Sequence, residues 1–214
     1  MQKKLLIFDL DGTLVDTVVD LNASINHALK KYHFDTKSVE HTAKAIGNGI
    51  SITLFRSLPE DVDPKKHEKV LKAFRKHYKH HFLDNSKAYP GMIETLRRLK
   101  DKGFLLAVAT NKLDEISKKM IDKLYPNIFD IIQGDLPDLP KKPDPTVINM
   151  ILKELDIKAD EAIYIGDSEV DEQTANNAHV DLMLVDYGFH RTDYFKDIKC
   201  PHLVVPMQLI NYLE

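Results

Sequence analysis

The stretch LLIFDLDGT, residues 5–13, decides the fold of this chain. Residues 5–8 are apolar at every position, which is typical of a parallel β-strand buried on both faces. Two acids, Asp9 and Asp11, follow directly, and Gly12 permits a sharp turn. Similar short apolar runs occur at 104–109, 129–132, 162–165, 182–185 and 203–205. We predict that all six runs are strands of one sheet.

Segments with helical periodicity separate most of these predicted strands. One of them has Ile93, Leu96 and Leu99 on a single face and is followed by Gly103, a residue type common just past a helix end. The alternation of strands and helices from about residue 88 onward predicts an α/β fold. We expect a doubly wound, Rossmann-like parallel sheet with helices on both faces.

The interval 15–87 differs from the rest because it contains no strand-like run. Residues Val18, Leu21, Ile25 and Ala28 mark one amphipathic helix, and Asp63-Pro64 is suited to begin another. We therefore predict an inserted all-helical cap domain, residues 15–87, between the two parts of a core domain, residues 1–14 and 88–214.

The whole-chain composition excludes several classes of function. The chain has 214 residues and a net charge of −3, so nothing indicates electrostatic binding to nucleic acid or to an anionic membrane. Its single cysteine cannot form an intramolecular disulfide, which fits a reducing compartment. The apolar run at the start is interrupted by Asp9 and is too short for a signal peptide or a membrane span. We expect a cytoplasmic enzyme, monomeric or homodimeric, whose partner is a small molecule.

Polar residues follow three of the predicted strands. Asp9 and Asp11 follow the first, Thr110-Asn111 the second, and Gly166-Asp167-Ser168 the fourth. Lys142 lies between the third and the fourth. Because ligands of open parallel sheets bind beyond the carboxyl ends of the strands, we expect these groups to meet in one crevice.

The acids of this crevice are suited to phosphoryl transfer. Asp9 and Asp167 can bind one hard divalent cation, and Mg²⁺ with a bound phosphate is the usual partner of so few protein ligands. Asp9 can then attack phosphorus to form an aspartyl-phosphate. Asp11 can protonate the leaving alkoxide and later deprotonate the attacking water.

The other polar groups are suited to binding the phosphoryl oxygens. Lys142 supplies positive charge and the Thr110 hydroxyl supplies a hydrogen bond. Backbone N–H groups around Leu10 and Asn111 can donate as well, since Gly12 lets the backbone turn around the phosphate.

Four motifs together resemble a known family, the haloacid dehalogenase superfamily of phosphatases. They are Asp9-Leu10-Asp11-Gly12-Thr13, Thr110-Asn111, Lys142-Pro143 and residues 166–171, in the family's order. The resemblance covers essentially the whole chain, including a helical cap after the first motif. It implies an α/β core and a Mg²⁺-dependent phosphatase. The second acid, Asp11, argues against the true dehalogenases, which lack it.

The resemblance also implies a role for each matching residue. Asp9 would be the nucleophile and Asp11 the general acid and base. Mg²⁺ would bind the carboxylates of Asp9 and Asp167 and the main-chain carbonyl of Asp11. Thr110 and Lys142 would contact the phosphoryl oxygens. The remaining implied residues are Leu10, Gly12, Thr13 and Asn111 for substrate binding, with Ser168 and Asp171 supporting the metal site.

Within the family, the predicted cap is similar to that of phosphoglycolate phosphatases. The matching segments are Val15-Asp16-Thr17, Ile46-Gly47-Asn48-Gly49 and Tyr89-Pro90-Gly91. Gly47 and Gly49 permit close backbone approach and Asn48 offers an amide, so we expect this turn to contact the leaving group of a compact phosphorylated acid or sugar. The resemblance makes 2-phosphoglycolate the first candidate. His179 departs from the pattern, because this branch usually has glycine there, and histidine is less suited to a left-handed helix end.

Alternatives remain open for function and for single residues. Related pyrophosphatases, nucleotidases and sugar-phosphate phosphatases or mutases carry similar caps, and a non-catalytic phosphate-binding regulatory protein would keep the same fold. Gly47 and Gly49 are also compatible with a simple helix–helix loop, and Thr110-Asn111 alone with a helix cap. His77 and His81 have a spacing that suits zinc, but a solvated basic face is the favoured interpretation.

Overall fold

The computed structural model describes residues 2–189, 195 and 198–213. The strands of this part of the chain are β1 (Leu5–Phe8), β2 (Val15–Asp16), β3 (Lys87–Ala88), β4 (Leu105–Leu113), β5 (Ile131–Asp135), β6 (Ala162–Gly166), β7 (Asp181–Val185) and β8 (His202–Leu203). Its helices are α1 (Val18–Lys31), α2 (Val39–Ala45), α3 (Ile50–Phe55), α4 (Pro64–His81), α5 (Met92–Asp101), α6 (Asp114–Leu124), α7 (Thr146–Glu154), α8 (Glu169–Ala178) and α9 (Gln208–Leu213).

The described residues form a six-stranded parallel sheet in the order β5-β4-β1-β6-β7-β8. β1 is central, since Leu5 pairs with Leu105 of β4 on one side and with Ala162 of β6 on the other. The order of the strands reverses at β1. The carboxyl ends of β1, β4 and β6 therefore border a crevice of the kind in which open α/β sheets bind ligands. The predicted α/β fold is confirmed.

Both faces of the sheet are buried by helices, which explains why the first strand is apolar throughout. Leu6 and Phe8 of β1 pack in one core with α5, α6 and α9. Leu5 and Ile7 point to the opposite face and pack in a second core with α7 and α8. All four side chains are fully buried.

A third apolar core lies within α1–α4, which we call the insert. Leu21 and Ile25 of α1 pack there with Phe74 and Tyr78 of α4, and Ile116 of α6 joins them from the sheet side. α4 begins where the sequence predicted, because the Asp63 side chain accepts a hydrogen bond from the Lys65 N–H and a proline follows it. The boundaries 14/15 and 87/88 of a separate cap domain stay a prediction.

β4 is longer than its apolar run. The sequence predicted that this strand ends at Ala109, but it continues to Leu113, which pairs with Asp135 of β5 after a shift in register. Pairing with β5 thus keeps the polar residues Thr110 and Lys112 within the strand. Hydrophobicity alone does not reveal such an extension.

The structure also differs from the prediction at both ends of the insert. The interval 15–87 was predicted without strands, yet β2 and β3 form a short antiparallel ribbon in which Val15 pairs with Ala88. The ribbon joins the two segments that enter and leave the insert. Pairs of two residues are too short to give a periodic pattern, so the sequence contains no signal for them.

The last predicted strand, 203–205, and the helix end at His179 both differ from the expected pattern. β8 ends at Leu203, because the Gln208 side chain accepts hydrogen bonds from the N–H groups of Val204 and Val205 (2.7 and 3.3 Å). His179 adopts the left-handed conformation (φ 56°) that glycine usually takes at a helix end. No helix among the described residues is long and apolar enough to cross a membrane.

Candidate active site

The crevice at the strand ends contains a buried chain of charges. Lys142 Nζ lies 2.9 Å from Asp9 Oδ1 and 2.8 Å from Asp171 Oδ1. The Tyr164 hydroxyl accepts a third contact from Lys142 Nζ at 2.7 Å. Burial raises the pKa of Asp9 to about 6, although Lys142 opposes this shift. The two carboxylates hold the pKa of Lys142 well above its ordinary value, so this lysine is a fixed positive charge beside Asp9.

Asp171 is held in place by the N-terminus of α8. Its Oδ2 accepts hydrogen bonds from the Ser168 hydroxyl (2.6 Å) and from the N–H groups of Asp167 and Ser168 (3.1 and 3.0 Å). The Ser168 hydroxyl is also the N-cap of the helix, so the pair forms a capping box. Asp171 therefore fixes the backbone that carries Asp167 and also orients Lys142.

Close packing places Asp167 against the turn after β1. A Cβ atom on Gly12 would lie 2.2 Å from Asp167 Oδ2, and one on Gly188 would lie 2.3 Å from Asp167 Cβ, so both positions require glycine. Thr13 Oγ1 donates to Asp167 Oδ1 (3.4 Å) and the Phe189 N–H donates to Oδ2 (2.7 Å). The first and fourth motifs thus meet directly.

These acids fit a metal ion. Ligand atoms of Asp9, Asp167 and Asp171 lie within 4.8 Å of one another. Asp171 already accepts hydrogen bonds from Lys142 and from the backbone and hydroxyl groups at the start of α8. Asp9 is buried, and its Oδ1 contacts Lys142 as an ion pair at 2.9 Å. Two carboxylates, Asp9 and Asp167, are therefore the ones placed to bind a hard cation.

Asp11 belongs to a second set of contacts. Lys112 Nζ donates to both of its carboxylate oxygens (2.8 and 3.1 Å), and the Thr17 hydroxyl donates to Oδ1 (2.6 Å). Lys112 Nζ also donates to the Tyr78 hydroxyl of α4 at 2.7 Å. Asp11 is thus drawn away from the Asp9–Asp167 cluster, and the two acids of the first motif occupy different electrostatic surroundings.

A small cavity of about 50 Å³ opens between the crevice and the insert. Asp9, Asp11 and Thr110 line one end. The other walls are mostly apolar side chains from the insert and from the start of α6; they include Leu21, Ile46, Ile50, Phe74 and Ile116. The insert therefore limits what can follow a phosphoryl group bound at Asp9.

The turn between α2 and α3 contacts the crevice by its backbone. Gly47 and Gly49 line the cavity, whereas Asn48 is not among its lining residues. The Asn111 side chain donates to the carbonyls of Gly47 (3.2 Å) and Lys142 (3.0 Å). Asn111 thus ties the turn to the sheet through its side chain, a contact that the sequence did not predict.

The structure brings the predicted catalytic and metal residues together at one crevice. Their assigned roles stay predictions. The sequence analysis missed Lys112, Tyr78 and Tyr164. Alternate residues of a regular strand share one face, so a strand predicted to run through residue 112 would have placed Lys112 beside Thr110 at the crevice. That inference requires β4 to extend past Ala109.

Comparisons with known proteins agree with this geometry. The family described as haloacid dehalogenase-like hydrolase matches residues 6–185. A phosphoglycolate phosphatase of Aquifex aeolicus (strain VF5) is 34% identical over 187 residues, which cover 87% of this chain and 86% of that protein. A second, of Mesorhizobium japonicum, is 32% identical over 193 residues, or 88% and 85% of the two chains.

A solved structure is similar over the full length. The crystal structure of a candidate phosphoglycolate phosphatase from Lactobacillus delbrueckii subsp. bulgaricus has a TM-score of 0.93 at 27% identity and covers 100% of this chain and 99% of that one. The family match spans most of the chain, and the fold and the order of the four motifs agree with it. The chain therefore belongs to the haloacid dehalogenase-like hydrolases.

Proposed function

We propose that this hydrolase is a Mg²⁺-dependent phosphatase that cleaves a small phosphate monoester through an aspartyl-phosphate on Asp9. One observation carries the proposal: a buried carboxylate, Asp9, lies between a fixed lysine and a second acid, Asp167, at the strand ends of a parallel sheet. Such a site is suited to hold a dianionic phosphoryl group beside a nucleophile. When bound, Mg²⁺ would neutralise charge on the phosphoryl oxygens, with Asp9, Asp167 and the Asp11 carbonyl as its protein ligands.

The first half of the reaction uses both acids of the first motif. An Asp9 oxygen attacks phosphorus and the bond from phosphorus to the ester oxygen breaks. Protonated Asp11 donates its proton to that departing oxygen, so the leaving group departs as an alcohol. Lys142 and the Thr110 hydroxyl stabilise the charge on the transferred group.

The second half restores the enzyme. Asp11, now ionised, takes a proton from water while the water oxygen attacks the phosphorus of the aspartyl-phosphate. The bond from phosphorus to the Asp9 oxygen breaks, and phosphate leaves. Lys112 and Thr17 hold the Asp11 carboxylate in place by hydrogen bonds.

We infer that 2-phosphoglycolate is the first substrate to test. The relatives named phosphoglycolate phosphatase support this choice. The small cavity also favours a short leaving group. A cytoplasmic location and a monomeric or homodimeric state stay predictions.

The test is a phosphatase assay on the purified full chain. We expect hydrolysis of p-nitrophenyl phosphate that is lost in excess EDTA and returns with Mg²⁺. A panel of phosphorylated metabolites, including pyrophosphate, nucleotides and sugar phosphates, would then rank the substrates. Full activity in excess EDTA would contradict the metal-dependent mechanism, and absence of turnover on the whole panel would favour a non-catalytic phosphate-binding protein.

A further inference from the structure

Lys112 is a buried cation in the wall of the substrate cavity. Its side chain is only 5% exposed, and it follows Thr110 by two residues on β4. Among the described residues, the Asp11 carboxylate is the one acidic side chain in contact with Lys112, and Asp11 keeps a further hydrogen bond from Thr17.

The charge of Lys112 lies at a cavity wall that is otherwise mostly apolar next to the insert. Among the described residues that line the cavity, Lys112 is the only one with a cationic side chain. Most of the remaining wall next to the insert is apolar, and the Thr53 hydroxyl there lies within hydrogen-bond distance of the Ala45 and Gly49 carbonyls (3.2 and 3.1 Å). An anionic group on the leaving group would therefore find its partner at Lys112.

The Tyr78 hydroxyl is a second polar group beside Lys112 at this wall. This hydroxyl accepts a hydrogen bond from Lys112 and has no acceptor of its own within the part of the chain that the structure describes. The hydroxyl remains protonated, because burial raises the pKa of Tyr78 to about 12. The Lys112 ammonium and the Tyr78 hydroxyl hydrogen thus lie on the same side of the cavity, and a planar oxyanion there would share the ammonium with Asp11 and accept from the hydroxyl.

The spacing limits the size of that leaving group. Thr110 and Lys112 are two residues apart on one strand, a separation of about 6–7 Å along the backbone. The cavity of about 50 Å³ leaves room for a few atoms of water size only.

We propose that Lys112, with Tyr78, binds a carboxylate on the leaving group and so selects short phosphorylated carboxylic acids. This inference rests on the proposed phosphatase function and deepens it. The residues around Asp9 contact the phosphoryl group that all esters share, whereas Lys112 distinguishes an acidic ester from a neutral one of equal size. Selection arises because only an acidic ester brings a second anion to Lys112, beside its contact with Asp11.

The test compares two substrates that differ in the carboxylate alone. They are 2-phosphoglycolate and 2-hydroxyethyl phosphate, in which a hydroxymethyl group replaces the carboxylate. We expect the wild-type enzyme to prefer the acid and Lys112→Met to reduce the ratio of the two kcat/KM values by roughly a hundredfold, the loss typical of removing one partner of a buried charge pair. The ratio cancels any effect of the variant on Asp11, which acts on both esters.

Two further variants serve as controls. Lys141→Met removes a lysine near Gly49 that pairs with Asp135 (2.6 Å), and it should leave the ratio unchanged. Tyr78→Phe should lower the ratio by a smaller factor, since it removes one neutral donor. An unchanged ratio in Lys112→Met would overturn the inference, as would a loss of the ratio in Lys141→Met alone.

Binding gives a second measurement that does not depend on turnover. Calorimetric titration of the Asp9→Asn protein with each ester should show tighter binding of 2-phosphoglycolate, and Lys112→Met added to it should abolish the difference. Equal binding of both esters before that change would contradict the inference. If p-nitrophenyl phosphate is hydrolysed while the two esters are treated alike, the phosphatase function stands and the role of Lys112 falls.

Discussion

Two buried lysines each pair with an acid of the first motif, but they depend on different parts of the chain. Lys142 contacts Asp9 and Asp171, and both of these lie at strand ends or at the helix that follows. Lys112 contacts Asp11 from the sheet side and reaches Tyr78 of α4, in the insert. The first arrangement is complete within the sheet region, whereas the second requires the insert to lie against β4.

The difference separates what all substrates share from what distinguishes them. The Lys142 cluster is attached to backbone that the sheet and α8 hold fixed, which suits a site for a phosphoryl group. The Lys112 cluster joins two regions that are far apart in sequence, so any movement of the insert changes it. On our proposal, selection of the leaving group depends on the cluster that includes the insert, whereas the nucleophile and the phosphoryl site depend on the cluster that the sheet and α8 hold.

The largest expected effect is on turnover, and it compares Asp9, the partner of Lys142, with Asp11, the partner of Lys112. Asp9→Asn removes the nucleophile and should leave no measurable hydrolysis of any ester. Asp11→Asn keeps the nucleophile and should cost about a hundredfold to ten-thousandfold with alkyl esters, because the alkoxide then leaves without a proton. Steady-state assays on 2-phosphoglycolate and p-nitrophenyl phosphate would measure both variants.

The choice of esters makes this comparison sharper. p-Nitrophenolate leaves readily without protonation, so Asp11→Asn should lose less activity with p-nitrophenyl phosphate than with 2-phosphoglycolate. Thermal unfolding of both variants provides the folding control. Near wild-type turnover in Asp9→Asn would show that the nucleophile is assigned wrongly.

The next effect is on stability and compares the lysines directly. Lys142→Met leaves Asp9 and Asp171 buried without their counter-charge and should lower the free energy of unfolding by about 3–5 kcal/mol. Lys112→Met should cost less, about 2–3 kcal/mol, since Asp11 is 14% exposed and keeps its bond from Thr17. Urea denaturation without metal measures both values. Equal losses of unfolding free energy in the two variants would show that the two ion-pair clusters contribute equally to stability.

The sequence predicted the Lys142 side far better than the Lys112 side. Strands buried on both faces are apolar at every position, so their ends were visible, and Asp9 and Asp167 follow such ends directly. The packing rule for open sheets then brought the acids to one crevice. Ser168 and Asp171, three residues apart, likewise have the spacing of a capping box.

Contacts between distant elements could not be predicted in this way. Tyr78 belongs to the apolar face of α4, as its periodicity indicated, but the partner of its hydroxyl lies 34 residues away on another element. Lys112 stays in β4 because of pairing with β5, and no local pattern encodes that extension. The side chain of Asn111 was likewise assigned no contact with the insert. Pairings decided by tertiary packing leave little trace in a single sequence.

A smaller effect concerns the attachment of the insert. Asp20 of α1 is buried and accepts hydrogen bonds from the N–H groups and side chains of Asn85 and Ser86, at 2.7–3.0 Å. Although burial is the largest single influence and opposes the shift, these bonds together lower the pKa of Asp20. Asp20→Asn should reduce the free energy of unfolding by about 2 kcal/mol at neutral pH.

The contribution of Asp20 to the free energy of unfolding should depend on pH. A carboxyl whose pKa is lower in the folded state contributes stability above its unfolded value, about 4, and loses that contribution as pH falls through the folded pKa. The difference between wild type and Asp20→Asn should therefore be constant at neutral pH and shrink below about pH 4. Asp63→Asn is the matched control, since it replaces an exposed cap by an equally good one. A difference that grows in acid would contradict the assignment.

The smallest expected effect distinguishes a turn at the cavity from a turn far from it. Gly49 and Gly103 both have a positive φ (82° and 88°), so alanine at either position should lower the stability, by about 1–3 kcal/mol. A Cβ atom on Gly49 would lie 3.5 Å from Lys141 Nζ and 3.6 Å from the Asn111 carbonyl, whereas one on Gly103 meets nothing within 4 Å. Because only Gly49 lines the cavity, Gly49→Ala should lower kcat/KM for 2-phosphoglycolate several-fold while Gly103→Ala leaves it unchanged. Equal kinetics in two variants of equal stability would show that the turn is structural and that the leaving group is selected on the β4 side alone.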